Sequence, residues 1–178
     1  MATPPTFNSG DVLNASSMNA IGLWLVKSQT VGSGVSSVTV TGAFNADYDN
    51  YKVIYSGGVG STGNNMRMNL GSAVTNYYGN IIYTTFSSAT VLAITTNNGS
   101  SCTYVGGGDG SFCTMDVDVL SPFATKPTLV HSMYQDQNAF GNSGYRLADS
   151  TSYSSFSIAP NIGTITGGTI YVYGYRKG

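Results

Sequence analysis

The sequence predicts an all-β protein: an antiparallel sandwich, jelly-roll-like, with an N-terminal extended arm and one short helix. Three observations point there. From Gly22 onward apolar and polar residues alternate with a period of two, clusters of Gly, Asn, Asp and Ser interrupt the alternation at near-regular spacing, and β-branched and aromatic residues fill the runs between. At 178 residues the chain fits one domain, and folding at this length buries roughly 70% of the unfolded surface.

The opening "MATPPTFNSGD" is Pro-rich and polar and reads as an extended arm. In "LNASSMNAIG", Asn14 is placed to cap a short helix over Ala15 to Ile21, and Gly22 ends it. Leu13 and Met18 hold the two positions of a hydrophobic staple. Residues 1–21 are thereby set apart from a β-domain over 22–178. Strands are expected at Leu23 to Thr30, Val35 to Thr41, Tyr51 to Ser56, Met66 to Leu70, Asn80 to Phe86 and Thr90 to Thr95. Further runs lie at Cys113 to Val119, Thr128 to Gln135, Tyr153 to Ile158 and Thr169 to Arg176. The clusters "SGGVGSTGNN", "TNNGSS", "GGGDGS" and "AFGNSG" read as connections. About ten short strands joined this way mean a sandwich. If "GGGD" is a four-residue hairpin loop, Val105 pairs with Gly110 and Cys102 stands opposite Cys113. A cross-strand disulfide is then geometrically open, although a cytosolic product favours reduced thiols.

Composition narrows the function. Only 8% of residues are charged, against about 25% in ordinary soluble domains, and glutamate is missing altogether. The net charge is −1 and the seven basic residues are scattered, so no stripe exists to neutralise nucleic-acid phosphates. No stretch approaches the roughly 18 apolar residues that span a bilayer. The first residues lack a basic n-region and an apolar h-region, so synthesis in a cytosol is expected and the sequons at Asn14 and Asn98 go unused. So few charges suit a subunit that buries much of its surface against neighbours.

The motifs with chemical meaning fail on context. Gly58-Val-Gly60-Ser-Thr-Gly63 spells G-x-G-x-x-G, but "NNMRMNLG" after it alternates like a strand, where a phosphate site needs a helix. The glycines are expected to form an exposed, ligand-free connection with positive φ. His131, the single histidine, shares a face with Leu129 and Met133, which is the setting of a packed strand residue rather than a general base. Asp116 and Asp118 share a strand face, and Asp47 and Asp49 lie in the turn-like "NADYDNY". Neither pair supplies the 6–8 oxygens of a complete Ca²⁺ site. The reading is therefore no catalytic residues, no cofactor and no metal. In "GGTIYVYGYRKG" the alternation sets Tyr171, Tyr173 and Tyr175 on one face and Ile170 and Val172 on the other. Such a tyrosine stripe suits a protein interface or a sugar-binding surface.

"FNSGDVLNASSMNAIG" at the start, "NADYDNYKVIYSGG" in the middle and "GGTIYVYGYRKG" at the end resemble small virion structural proteins of tailed bacteriophages. The opening looks like the short G-D-x-L-x-A leader of phage head and tail appendages, here Gly10, Asp11, Leu13 and Ala15, with Asn19 after it. The resemblance implies a non-enzymatic protein of the virion exterior, made in the host cytoplasm. It implies a capsid decoration (cement) protein that forms homotrimers and binds the major capsid protein, with Phe7, Asp11, Val12, Leu13, Met18 and Asn19 in the anchor. The alternative it implies is a tail- or head-fibre, receptor-binding protein that attaches to a host glycan.

Overall fold

The computed structural model describes Ser9, Gly10, Val12 and residues 22–176. The expected short helix, and the anchor residues Phe7, Asp11, Leu13, Met18 and Asn19, lie outside the described residues. Thirteen strands follow in order: β1 (Leu23–Thr30), β2 (Val38–Val40), β3 (Tyr48–Gly60), β4 (Asn64–Leu70), β5 (Tyr77–Thr85), β6 (Ser88–Gly99), β7 (Cys102–Gly108), β8 (Cys113–Leu120), β9 (Thr128–Gln135), β10 (Ala139–Leu147), β11 (Phe156–Pro160), β12 (Ile165–Thr166) and β13 (Thr169–Arg176). Every pairing among the described residues is antiparallel.

The sandwich arises from a fork at β8. One edge of β8 pairs with β3 from Asn50↔Leu120 to Gly58↔Cys113. Its other edge is shared: Cys113 to Met115 pair with β7, and Asp116 to Leu120 pair with β9. Where β7 and β9 part, the sheet divides into two layers. The larger runs β1-β13-β3-β8-β9-β10-β5-β6, and the smaller runs β7-β4-β11-β2. Neighbours distant in sequence, such as β3 beside β8 and β4 beside β11, make the sandwich jelly-roll-like.

Alternation explains what lies between the layers. Tyr51, Val53 and Tyr55 of β3, and Met115, Val117 and Val119 of β8, face inward from the larger layer. Met66, Met68 and Leu70 of β4 and Phe156 and Ile158 of β11 meet them from the smaller one. Phe44 stacks on Phe156 with centroids 5.5 Å apart. Both cysteines are buried and free, and the β7–β8 register places Cys113 opposite Gly108. The register that a "GGGD" loop would impose, with Cys102 opposite Cys113, is therefore not the one found, and Cys102 stands opposite Met68 of β4.

That error belongs to a wider one. Segments whose glycine and serine content marks them as connections are interior strands: "GGG" ends β7, and "AFGNSG" opens β10, which is paired on both edges. The inward positions of β10 include Gly141 and Ser143, and Ser143 Oγ lies 2.7 Å from Ser132 Oγ of β9. Small side chains let β7 lie close over this part of the larger layer, which is why composition alone resembles a turn. The G-x-G-x-x-G run is corrected in the same way. Gly58 and Gly60 are buried within β3, the turn is limited to residues 61–63, and β4 follows it. Gly58 has an ordinary φ, and the space a side chain would need is taken by the Tyr55 ring and the Gly167 carbonyl, which accepts a hydrogen bond from Tyr55 Oη at 2.9 Å. Its glycine serves close packing and not a positive φ.

Candidate interaction surface

The face of the larger layer turned away from the core is a broad surface read off by strand register. In one row Leu23, Tyr175, Asn50, Leu120, Leu129, Arg146 and Tyr78 lie side by side from β1 to β5. The next row holds Leu25, Tyr173, Lys52, Asp118, His131, Gly144 and Asn80. A third carries Tyr171, Ile54, Asp116, Met133, Asn142 and Ile82. Leu25, Leu129, Met133 and Ile82 are 55%, 46%, 46% and 54% exposed. Exposed apolar side chains on this scale mark a contact surface.

The tyrosine stripe falls on this face, while Ile170 and Val172 are buried in the core on the other side of β13. Tyr171 and Tyr173 stack with centroids 6.3 Å apart and are half-buried. Tyr175 is more exposed, and its hydroxyl donates to Asp118 Oδ1 at 2.8 Å. Of the anchor residues, Val12 is described and is exposed.

At the centre of the surface Lys52 pairs with Asp116 and, at 3.3 Å, with Asp118. Its ammonium occupies the place between the two carboxylates that a bound cation would take. Partial burial pulls the Lys52 pKa down, but the bond to Asp116 and the charges of Asp116 and Asp118 outweigh it and hold the pKa above the usual lysine value. His131 is exposed on this face, not packed as expected, because β9 turns Val130 and Ser132 inward. With Asn50, Asp118, Leu120 and Tyr175 it lines an open depression of about 500 Å³. The arrangement can hold a partner by contact, hydrogen bonds and a small charge cluster. Asp47 belongs to a turn in which its N–H donates to Asn45 Oδ1 at 2.9 Å. Among the described residues no three His, Cys or Asp side chains gather as a metal ligand set.

Lys52→Met is expected to cost about 1 kcal/mol at neutral pH, the upper range for a half-exposed ion pair. The sign of the pH dependence follows from the raised pKa. The contribution of Lys52 is complete below 10.5 and is lost as pH rises through the higher folded value, so mutant and parent melting temperatures converge in that alkaline range. Melts between pH 7 and 12 check this.

Two features were missed in the sequence. Lys52 is the counter-ion of the aspartate pair, and the alternation of "YKVIY" could have put it on the outer face, though not beside Asp116. The second is the exposure of β6: the strand expected over Thr90 to Thr95 extends over Ser88–Gly99 and is exposed along nearly its whole length, with Val91 65% and Leu92 41% exposed.

No family model and no curated protein matches the chain. Among solved structures, galectin LEC-6 of Caenorhabditis elegans is similar at 10% identity and a TM-score of 0.36, over 80% of this chain and 94% of that one. A similarity that low says nothing about what this chain does.

Proposed function

We propose that the chain is a non-enzymatic virion structural protein of a tailed bacteriophage, made in the host cytoplasm and placed on the particle exterior. In this reading it is a capsid decoration protein: copies associate with one another, as homotrimers by resemblance, and cement the head by binding the major capsid protein through residues 6–21. The observation that carries an adhesive role is the outer face of the larger layer, where the exposed Leu25, Leu129, Met133 and Ile82 surround the Lys52–Asp116–Asp118 cluster, continued by the exposed β6. Strand β6 contains no Asp, Lys, Arg or Pro, is twelve residues long and, among the described residues, pairs with β5 alone at the end of the sheet. Protein edges left in solution are normally blunted by charge, proline or a bulge. Both edge strands have register shifts, β6 against β5 at Tyr77/Gly79 and Tyr83/Thr85 and β1 against β13 at Leu25/Lys27, but β1 also carries a lysine whereas β6 has no charged side chain. Contacts made only in the assembled state stabilise it by mass action.

Two measurements test the reading. Particles assembled without the protein are expected to lose their heads at lower temperature than complete ones, and immunogold label against the chain is expected over the head. Equal heat resistance, or label at the tail tip, would overturn the cement role. Self-association is tested apart from the particle by Val91→Lys. The variant is expected to shift the protein to monomer in sedimentation while unfolding within about 0.5 kcal/mol of the parent at the monomer level. An unchanged oligomer would rule out β6 as the contact. The second reading, a fibre or receptor-binding protein attached to a host glycan, is favoured by a cleft lined with tyrosines and amides on the inner side of the larger layer.

A further inference from the structure

At the margin of the smaller layer, between Tyr104 of β7 and the inner sides of β5 and the end of β9, two adjoining depressions of about 270 and 320 Å³ form. They share Asn65, Asp136 and Asn138. One is walled by Tyr83, Tyr104 and Tyr134, and the other by the turns after β3, β9 and β11.

Four observations give this cleft a chemistry. Tyr83 and Tyr104, both half-buried, stand edge-on to the buried Tyr134 ring, with centroids 6.4 and 5.6 Å away at 75° and 81°. Amides crowd the neighbouring depression, where Asn64, Asn65, Gln137, Asn138 and Asn161 meet. Asn64 is only 9% exposed, its Nδ2 donates to the Thr62 carbonyl at 2.8 Å, and its buried Oδ1 has no donor. Buried acceptors are normally satisfied, so an orphan of this kind marks a place for a ligand's donor. Tyr104 has a φ of 63°, a left-handed conformation uncommon for an aromatic residue. Such backbone strain gathers at binding sites, where it holds a side chain in place.

The acceptors are fixed in position. Asp136 Oδ1 accepts from the Asn138 and Ala139 N–H groups, each at 2.7 Å. The Tyr134 hydroxyl is 2.5 Å from Asp136 Oδ2 and 2.6 Å from Asn65 Oδ1. One phenolic proton serves one of these two acceptors, which leaves the other open to an outside hydroxyl. No Lys or Arg lines either depression, so nothing there neutralises a phosphate, sulfate or carboxylate. The single carboxylate, already held by its own turn, does not make a cation site.

We propose that this cleft binds a neutral oligosaccharide. Sugar C–H faces lie against the Tyr83 and Tyr104 rings, and sugar hydroxyls pair with Asn64, Asn65, Asp136 and Asn138. The proposal supplies the ligand site that the fibre reading needs, and it does not depend on the cement reading or on where the chain sits in a particle.

The test uses the full chain against an immobilised panel of neutral oligosaccharides (galactosides, glucosides, mannosides and their N-acetylated forms), with sialylated and sulfated glycans beside them. Hits are then titrated by NMR. At least one neutral glycan is expected to bind, with shifts concentrated at Gly63, Asn65, Asp136 and Asn138. Tyr104→Ala is expected to weaken it by about tenfold or more, as loss of a stacked ring does, while Tyr104→Phe retains it. Should Tyr104→Ala not fold, Asn138→Ala on the exposed turn replaces it with the same expected direction. Tyr171→Ala, on the outer face, is expected to leave binding unchanged. Binding to no neutral glycan, binding to the anionic glycans alone, or shifts on the outer face would each overturn the proposal. Immunogold label over the head would leave it standing, so its failure and that of either particle role are told apart.

Discussion

Tyr77→Ala is expected to remove about 3–5 kcal/mol of stability, the range for deleting a large buried ring, and Tyr77→Phe about 1–3 kcal/mol. Tyr77 opens β5 and is fully buried. Its hydroxyl accepts a hydrogen bond from the Leu70 N–H at 2.8 Å, at the end of β4. The side chain thus ties the larger layer to the smaller one across the β4–β5 connection. The alanine variant leaves a cavity and an orphaned N–H together, whereas phenylalanine keeps the packing and loses only the hydroxyl, which accepts from Leu70 and donates to the Ala73 carbonyl at 3.5 Å. Urea titrations of both variants separate the terms. Equal losses would mean that the hydrogen bond, not the ring, dominates. Burial also raises the pKa of the Tyr77 phenol, as it raises that of Tyr55 to about 12. The unfolded chain releases these protons from about pH 10, so the phenols stabilise the fold below that pH and lose their contribution as pH climbs through the folded values.

Gly107→Ala is expected to destabilise the protein by about 3 kcal/mol or more, above the usual overpacking cost, because backbone stands in the way. A Cβ there would run into the Gln135 carbonyl oxygen and lie 3.0 Å from Asp136 Cβ. Gly107 sits in β7 opposite Thr114, at the fork where β7 and β9 leave β8. Making room for the methyl would move one layer off the other. Gly110 is the control, since a Cβ at that position meets nothing within 4 Å. Gly110→Ala is expected to stay within about 0.5 kcal/mol of the parent. Matching losses at both positions, measured by chemical denaturation, would mean that the fork tolerates side chains and that this account of β7 is wrong.

Both sites show where the sequence was legible and where it was not. Strands β1, β8, β9 and β13 were found within a residue and β4 within two; in β4, β8, β9 and β13 one face is buried and alternation reports it directly, while β1 alternates between exposed and half-buried positions. β2 proved shorter than expected, with Val35 making only an isolated bridge to Ile165, and β11 begins at Phe156 rather than Tyr153. The glycine end of β7 (Gly106 to Gly108), the first part of β10 and the end of β3 were read as connections. Their Gly and Ser content is set by a backbone in another layer, and a local window cannot see it. The outer surface was half legible. Alternation put Tyr171, Tyr173 and Tyr175 on the face opposite the core, but the rows joining them to Leu129, Met133 and Ile82 exist only once the strands are in register.

By itself, then, the sequence determined that this is an antiparallel β-protein with few charges, which strand faces are apolar, and that the G-x-G-x-x-G run lacks the helix a phosphate site requires. Those properties are local: periodicity, composition and neighbours along the chain. The tertiary structure alone decided that β8 is shared by β7 and β9, that Lys52 lies between Asp116 and Asp118, and that Tyr83, Tyr104 and Tyr134 meet beside Asn64 and Asn65. Each brings together residues tens of positions apart through strand pairing. Register, which a shift of one residue would invert, is set by packing across the whole sandwich.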